Sequence, residues 1–231
     1  MNLSDMTALH SLTVVIPTLN AAGTLPATLA SLHGGAHEIL VVDGGSTDDT
    51  VDIARIAGAG VVSSGRGRGI QLQAGGEASS SDWLLFLHAD TRLDKGWQSA
   101  AGVFMAGPAN RARAAVFGFS LDDPSPQARR MERLVNWRSR ALGLPYGDQG
   151  LLIARSFYES LGCFRPIPLM EDVDIVRRIG QKNLAVLDVA AVTSADRYRR
   201  GGWWARPARN ILCLSLYFVG VPPRTLEKIY R

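Results

Sequence analysis

Short apolar runs alternate with helical patterns through the first half of the chain. Four runs are continuous in apolar residues or rich in β-branched ones, as expected for strands buried on both faces: residues 12–16, 39–42, 60–63 and 83–87. Helical spacing fills the intervals, at residues 24–32, 50–57 and 69–78. This βαβαβαβ order predicts an α/β fold with a mostly parallel, doubly wound, Rossmann-like sheet and flanking helices.

The second half of the chain is less regular. Strand patterns occur at residues 115–121, 151–154 and 185–189. Helical patterns occur at residues 95–105, 126–142, 156–161, 173–181 and 205–219, and the one at 126–142 is basic and amphipathic. We find no internal repeat or low-complexity linker, so we expect one domain over residues 1–231. Its parts would be a regular first half (about 12–110), a less regular second half (about 111–200) and a helical tail (201–231).

Composition narrows the class of protein only a little. A formal charge of +4 over 231 residues is too mild to indicate a nucleic-acid binder. Cys163 and Cys213 lie far apart and outside metal-ligand spacing, so we expect two reduced core thiols. The start of the chain lacks a signal-peptide pattern, and the longest apolar stretch, residues 211–221, is shorter than the roughly 18 residues that cross a bilayer. We expect a cytoplasmic protein, either soluble or peripheral at the inner face of the membrane.

Acidic residues follow two of the predicted strands. Asp43 ends the second strand and precedes Gly44, which lets a ligand approach the backbone closely. At the carboxyl end of such a strand, where open α/β sheets bind ligands, its carboxylate could accept the imide N–H of a uracil or the hydroxyls of a ribose. The alternative is that Asp43 only starts a turn and Asp48 only caps the next helix.

A second polar group follows the fourth strand. The Asp90 carboxylate, together with diphosphate oxygens and water, could hold Mg²⁺ or Mn²⁺, which prefer oxygen ligands. His88 is a second candidate ligand, because Mn²⁺ also accepts imidazole. The alternative for His88 is a histidine hydrogen-bonded at the end of the sheet.

Two further segments carry candidate chemistry. A glycine-rich loop at residues 65–69 leads into a helix, where Arg66, Arg68 and backbone N–H groups suit phosphate; a solvated basic loop is the alternative. Glu171 and Asp172 begin a later helix. They either complement the helix dipole or supply a general base that takes the proton of a hydroxyl nucleophile.

Four of these segments, in this order and spacing, resemble family 2 glycosyltransferases of the GT-A fold. They are Val15-Ile-Pro17-Thr-Leu-Asn20, Val41-Val-Asp43-Gly-Gly-Ser-Thr-Asp48, Leu85-Phe-Leu-His88-Ala-Asp90 and Glu171-Asp172. The His-Ala-Asp form and the segment at residues 193–197 further resemble a small bacterial subgroup that is described as associated with radical-SAM proteins.

The resemblance implies a nucleotide-binding sheet, with residues 12–110 as the nucleotide-sugar-binding half and residues 111–200 as the acceptor and catalytic half. It also implies a role for each matching residue. Pro17, Thr18 and Asn20 would line the nucleotide pocket, and Asp43, beside Gly44, would read the base. Further donor contacts would come from Arg66, Arg68, Ala89 and Asp90. Asp90 matches the last Asp of the family's Asp-x-Asp metal motif, whose first Asp is replaced here by His88. Asp172 matches the catalytic base, with Glu171 beside it.

The resemblance also implies a reaction. It is inverting transfer of a sugar from a nucleoside-diphosphate-sugar, with a UDP-sugar favoured, to an acceptor hydroxyl with the help of Mn²⁺ or Mg²⁺. Two alternatives stay open. A nucleotidyltransferase would carry a glycine-rich basic loop directly after the first strand, where this chain has Pro-Thr-Leu-Asn. A non-catalytic binding module would be expected to have lost Asp90 and Asp172.

The acceptor side is less well marked. Asp148 and Gln149 lie in a polar turn and are candidates to face the acceptor or the donor sugar. The tail combines basic residues and tryptophans with an apolar helix, a composition that suits an anionic membrane surface and a lipid-linked acceptor. The alternatives are a helix packed on the core or a homodimer contact. These basic and aromatic residues are Arg197, Arg199, Arg200, Arg206, Arg209, Trp203 and Trp204.

Overall fold

A computed structural model of the chain describes residues 11–203 and 205–230, although the side chains of Arg197, Arg200 and Arg206 lie outside what it describes. Its strands are β1 (Leu12–Thr18), β2 (Glu38–Asp43), β3 (Gly60–Ser63), β4 (Trp83–Phe86), β5 (Thr91–Leu93), β6 (Ala114–Leu121), β7 (Leu151–Ala154) and β8 (Leu184–Thr193). The predicted α/β class is confirmed.

Helices cover both faces of the sheet. They are α1 (Leu25–Leu32), α2 (Thr50–Ile56), α3 (Arg68–Ala78), α4 (Trp97–Ala106), α5 (Pro126–Leu142), α6 (Arg155–Ser160), α7 (Glu171–Ile179), α8 (Asp196–Gly201), α9 (Ala205–Phe218) and α10 (Pro223–Tyr230). Short 3₁₀ helices occur at Pro108–Ala112, Gly147–Gln149 and Gln181–Asn183. The pattern analysis missed the short elements β5, α8 and α10.

All eight strands form one sheet in the order β3-β2-β1-β4-β7-β6-β8-β5. The four strands of the first half pair in parallel, as the βα alternation predicts. Beyond β4 the sheet is mixed, because β7 runs antiparallel to β4 and β6 while β8 is parallel to β6 and antiparallel to β5. The carboxyl ends of β1, β2 and β4 therefore share one edge, where open α/β sheets bind ligands.

Two layers of apolar side chains hold this sheet. One lies between the sheet and α1 and α4 and includes the fully buried Trp97. The other lies under α3 and α7 and is centred on Phe86, whose ring contacts Tyr158 and Phe164 at centroid distances of 5.1 and 4.8 Å. The polar loops at the strand ends are thus carried by rigid, buried strands.

The tail packs on the body of the protein. Cys213 of α9 and Leu226 of α10 are fully buried against Leu169, Met170 and Val173, at the start of α7. The inner face of the tail therefore agrees with the packed-helix alternative.

Trp203 stacks on Tyr198 with ring centroids 5.6 Å apart. Trp204 lies outside the described residues. No helix in the described ranges is both long and apolar enough to cross a membrane.

Candidate active site

The loop after β2 is organised by the carboxylate of Asp43. Its Oδ2 accepts the backbone N–H groups of Gly45 (3.0 Å) and Ser46 (2.8 Å), while its Oδ1 accepts the hydroxyls of Ser46 and Thr18 (3.2 Å for Thr18). Burial alone would raise the pKa of Asp43, but these hydrogen bonds hold it below its ordinary value. Four donors fill the acceptor capacity of the carboxylate. Asp43 therefore builds the turn after β2, which is the alternative role that the sequence leaves open for it.

Asn20 joins this loop from the end of β1. It has a left-handed backbone (φ 51°), which asparagine tolerates better than most residues. Its Oδ1 accepts the N–H of Thr47 (2.8 Å), and its own N–H donates to Ser46 Oγ (2.8 Å). Pro17 is buried within β1, beside Val42 of β2. The two strand ends therefore form one connected polar rim, whose role as the nucleotide pocket stays a prediction.

Sequence reasoning missed the residue that joins this rim to α3. Gln71 is 4% exposed, and its Nε2 donates to the carbonyls of Thr18 (2.7 Å) and Val42 (2.8 Å), at the ends of β1 and β2. A Cβ added to Gly44 would lie 3.1 Å from the Gln71 amide, so glycine also leaves room for this bridge. The signal in the sequence was a polar residue on the buried face of a helix, beside Leu72.

A cleft opens next to this rim and collects five of the predicted site residues. These are Arg68, His88, Asp90, Asp148 and Asp172. The cleft is also lined by residues that sequence reasoning did not select, among them Tyr146, Gly147, Thr193, Ser194, Tyr198, Asn210 and Tyr230. Several of these come from β8 and the tail, which short motifs cannot connect to the strand-end loops.

Arg68 and Glu171 form a buried link on one side of the cleft. Glu171 is completely buried, and Arg68 Nε lies 2.6 Å from its Oε1. The contact is a close ion pair without hydrogen-bond geometry, so neither Glu171 oxygen accepts a hydrogen bond from the residues described. Burial raises the pKa of Glu171 to about 7, which Arg68 opposes and Asp172 reinforces. Glu171 thus ties α3 to the first turn of α7.

Asp172 is held from two directions at the next position. Its Oδ1 accepts the N–H of Val173 (2.8 Å), and its Oδ2 accepts the N–H of Gly147 (3.0 Å). A Cβ at Gly147 would lie 2.6 Å from His88 Nε2 and 3.6 Å from Asp172 Oδ2. Gly147 therefore lies between the imidazole and the carboxylate, and only the absence of a side chain permits that approach.

Asp148 lies deeper in the same wall. Its Oδ1 is buried and has no hydrogen-bond donor among residues 11–203 and 205–230. Burial raises the pKa of Asp148 to about 6; the charge of Arg138 opposes this shift and that of Asp172 adds to it. Arg138 stacks over the ring of Tyr146, with its guanidinium carbon 3.6 Å from the ring centroid. Asp148 thus lines the cleft with one oxygen that no described residue satisfies, and its contact with an acceptor or donor sugar stays a prediction.

Two predicted site residues lie elsewhere. Gln149 is fully buried; its Oε1 accepts the hydroxyl of Ser139 (2.6 Å) and its Nε2 donates to the carbonyl of Phe117 (2.9 Å), so it braces β6 against α5 and does not face an acceptor. The turn pattern placed it wrongly because neighbouring residues of a 3₁₀ turn point in different directions. Arg66 is exposed and does not line the cleft, in keeping with the solvated-loop alternative.

The residues present suit a divalent cation only if a ligand contributes to its coordination. No three His, Cys, Asp or Glu side chains in the described parts of the chain form a metal-binding cluster. Asp90 and His88 nevertheless line one cleft, and a carboxylate with an imidazole is an acceptable partial ligand set for Mn²⁺. The remaining positions would go to diphosphate oxygens and water, as is usual for Mg²⁺ sites.

Curated relatives match a limited stretch of the chain. A PGL/p-HBAD biosynthesis glycosyltransferase of Mycobacterium tuberculosis is 39% identical over 90 residues, which are 35% of this chain and 35% of that protein. An uncharacterized glycosyltransferase of the same species is 41% identical over 87 residues, 37% of this chain and 39% of that protein. The match thus spans little more than a third of these relatives.

Solved structures share a fold that covers nearly the whole of this chain. Glucosyl-3-phosphoglycerate synthase from M. tuberculosis, crystallised with Mg²⁺ and uridine-diphosphate, superposes with a TM-score of 0.66 at 21% identity, covering 95% of this chain and 83% of that one. S. aureus TarS (residues 1–349) gives 0.61 at 15% identity, covering 95% and 69%. These likenesses show a shared GT-A fold. The sequence profile described as Glycosyl transferase family 2 matches residues 13–141, more than half of the chain, and the protein therefore belongs to glycosyltransferase family 2.

Proposed function

We propose that this enzyme transfers a sugar, with inversion at the anomeric carbon, from a UDP-sugar to a hydroxyl of an acceptor. The observation that carries the proposal is the cleft in which Asp90, His88 and Asp172 meet, at the edge where β1, β2 and β4 end. Asp172, at the start of α7, provides a base for the nucleophile. Asp90, after β4, provides a ligand for the cation that balances the charge of the leaving group.

Asp172 is the proposed general base. Its carboxylate takes the proton of the acceptor hydroxyl, and the oxygen attacks the anomeric carbon as the bond from that carbon to the diphosphate oxygen breaks. The bonding electrons leave with the nucleoside diphosphate, so no covalent sugar–enzyme intermediate forms. The N–H groups of Val173 and Gly147 fix the carboxylate, which keeps the base in one orientation toward the reacting hydroxyl.

Asp90, with His88 beside it, is proposed to hold Mn²⁺ or Mg²⁺ together with the donor's diphosphate. When bound, such a cation neutralises the negative charge that develops on the leaving group. The choice of metal and nucleotide is supported by solved relatives of the same fold: glucosyl-3-phosphoglycerate synthase was crystallised with UDP and Mn²⁺ in one case and with UDP and Mg²⁺ in another.

The nucleotide is proposed to lie along the rim formed by Thr18, Asn20 and Asp43. Because protein donors already fill the Asp43 carboxylate, reading of a uracil imide requires a hydroxyl of Ser46 or Thr18 to turn away and release one lone pair. Arg68 is held by Glu171 but remains 35% exposed on the cleft, so it can also meet the diphosphate. Asp148 is the proposed acceptor-side contact.

Isothermal titration calorimetry with a panel of nucleoside diphosphates, with and without Mn²⁺ or Mg²⁺, tests this proposal. We expect UDP to bind in a metal-dependent manner and the other diphosphates to bind more weakly. Preference for another base would refute the UDP assignment while leaving the site in place. Binding of none of them by folded protein would refute the donor site and favour a degraded binding module.

A further inference from the structure

Helix α5 presents an outward face that the proposed reaction does not use. Its inner face buries Ala128, Met131 and Val135 against β6. The opposite face leaves Leu134 51% exposed and Trp137 58% exposed. Leu134 and Trp137 thus form an exposed apolar pair on the outer surface of this helix.

Helix α5 as a whole is strongly basic. Helix α5 contains five arginines and one glutamate, so it carries a net charge of +4. Glu132 neutralises Arg129 through a close ion pair, and Asp188 pairs with Arg140 at 3.0 Å. Among the residues the structure describes, no carboxylate lies within ion-pair distance of Arg130 or Arg133. Positive charge therefore remains available on this helix.

The charges and the apolar groups form a single stripe. Arg130, Leu134, Trp137 and Ala141 follow the i, i+4, i+7, i+11 spacing of one helix face. An open groove runs beside them, lined by Arg133 and Arg140 on the flank of Trp137. The guanidinium groups of Arg133 and Arg140 thus flank an exposed indole, and this combination of basic and aromatic side chains suits the headgroup region of a bilayer.

We propose that this face of α5, defined by Arg130, Arg133, Leu134 and Trp137, docks on an anionic lipid surface. The arginines would approach lipid phosphates, and Leu134 and Trp137 would enter the boundary between headgroups and acyl chains. Nucleic acid would account for the arginines but not for the exposed apolar pair. The proposal does not depend on the proposed reaction.

The proposed docking face leads along the chain into the wall of the cleft. Helix α5 ends at Gly143, which has a left-handed backbone (φ 61°) that glycine adopts without strain. The chain continues from there into residues 144–150, which supply Tyr146, Gly147 and Asp148 to the cleft. The surface that binds lipid and the wall of the cleft are therefore consecutive in the chain.

Vesicle co-sedimentation tests the proposal with the full chain and needs neither donor nor acceptor. We expect binding to vesicles of phosphatidylcholine mixed with phosphatidylglycerol, and little binding to phosphatidylcholine alone. Replacing both Arg130 and Arg133 by glutamine should weaken binding about 30-fold at low salt, which is about 2 kcal/mol at ~1.4 kcal/mol per factor of ten. Trp137→Ser should weaken it on the order of tenfold.

Matched controls lie on α2, where Ile56 is 87% exposed and Arg55 is also exposed. Ile56→Ser and Arg55→Gln should leave vesicle binding unchanged. Absence of binding by the wild-type protein, or binding that survives the α5 substitutions, would overturn the proposal. The latter result would move the contact to the exposed side of the tail, around Ile211 and Phe218. Sedimentation velocity without lipid adds a further test, since dimers abolished by Trp137→Ser would instead make this face a contact between copies.

Discussion

The buried carboxyl of Glu171 should make the stability of this protein fall as pH rises. In the folded protein its pKa is raised from the ordinary 4.5 to about 7 because the group is removed from water, even though Arg68 lies beside it. Between these two values the unfolded chain has released the proton and the folded chain still holds it. The folded state then binds more protons, so its stability decreases through that window and is constant on either side.

The magnitude follows from the two pKa values. Each factor of ten in proton affinity is worth ~1.4 kcal/mol, so ionising Glu171 in the fold costs about 3 kcal/mol between pH 4 and pH 8. Glu171→Gln keeps the shape of the side chain and removes its titration. From pH 4 to pH 8 the free energy of unfolding of the wild-type protein should therefore fall by about 3 kcal/mol more than that of the Glu171→Gln variant.

Urea unfolding of both proteins, at several pH values and followed by circular dichroism, measures this difference. The raised pKa of Asp148 also makes stability fall as pH rises, but it does so in both proteins. Its effect therefore drops out of the difference between them. Glu77→Gln, at an exposed position of α3, is the matched control and should leave the wild-type pH dependence unchanged. Parallel pH profiles for the wild-type and Glu171→Gln proteins would refute the reasoning.

The other predictions concern the cleft and its support. Asp172→Asn should lower kcat at least about 1,000-fold while UDP still binds, since only the base is lost; a variant that retains more than a tenth of the activity would exclude Asp172 as the base. Asp90→Asn should weaken metal-dependent UDP binding measured by calorimetry, whereas Asp94→Asn, at an exposed site after β5, should not. Gly147→Ala forces His88 to move, because the new Cβ would lie 2.6 Å from Nε2. The variant should lose more than about tenfold in activity and about 1–3 kcal/mol in stability. Unchanged activity would show that His88 takes no part in the reaction. Gln71→Leu removes two hydrogen bonds to strand-end carbonyls and should cost about 2–4 kcal/mol in thermal or urea unfolding, with equal stability counting against the bridge.

The strands and the strand-end carboxylates were predictable because each rests on a local signal. A continuous apolar run followed by Asp43 or Asp90 needs no knowledge of the rest of the chain. The order of the strands beyond β4 was not predictable in this way. The antiparallel insertion of β7 between β4 and β6 depends on long-range pairing, which leaves no periodic trace in the sequence.

The same difference between local signals and long-range contacts explains the wrong prediction for Gln149. Gln149 and Asp148 are neighbours in one turn, and their composition gave no means of deciding which one faces the cleft. The structure decides it through partners distant in sequence, since Ser139 and Phe117 engage Gln149 whereas Asp148 keeps a buried oxygen without a donor in the described ranges. Tyr230 lines the cleft from the end of the chain, which no motif could have indicated.

The glycine-rich loop before α3 illustrates how one sequence signal can serve two physical purposes. Its glycines and arginines suit a phosphate, yet a Cβ at Gly69 would lie 2.4 Å from the carbonyl oxygen of Arg165, in the segment that leads to α7. The start of α3 therefore packs backbone against backbone on the segment that precedes the proposed base. Arg68 reinforces this contact by pairing with Glu171. The loop thus brings the start of α3 close to the segment that leads to Asp172, and this approach requires glycine at residue 69 whether or not a phosphate binds there.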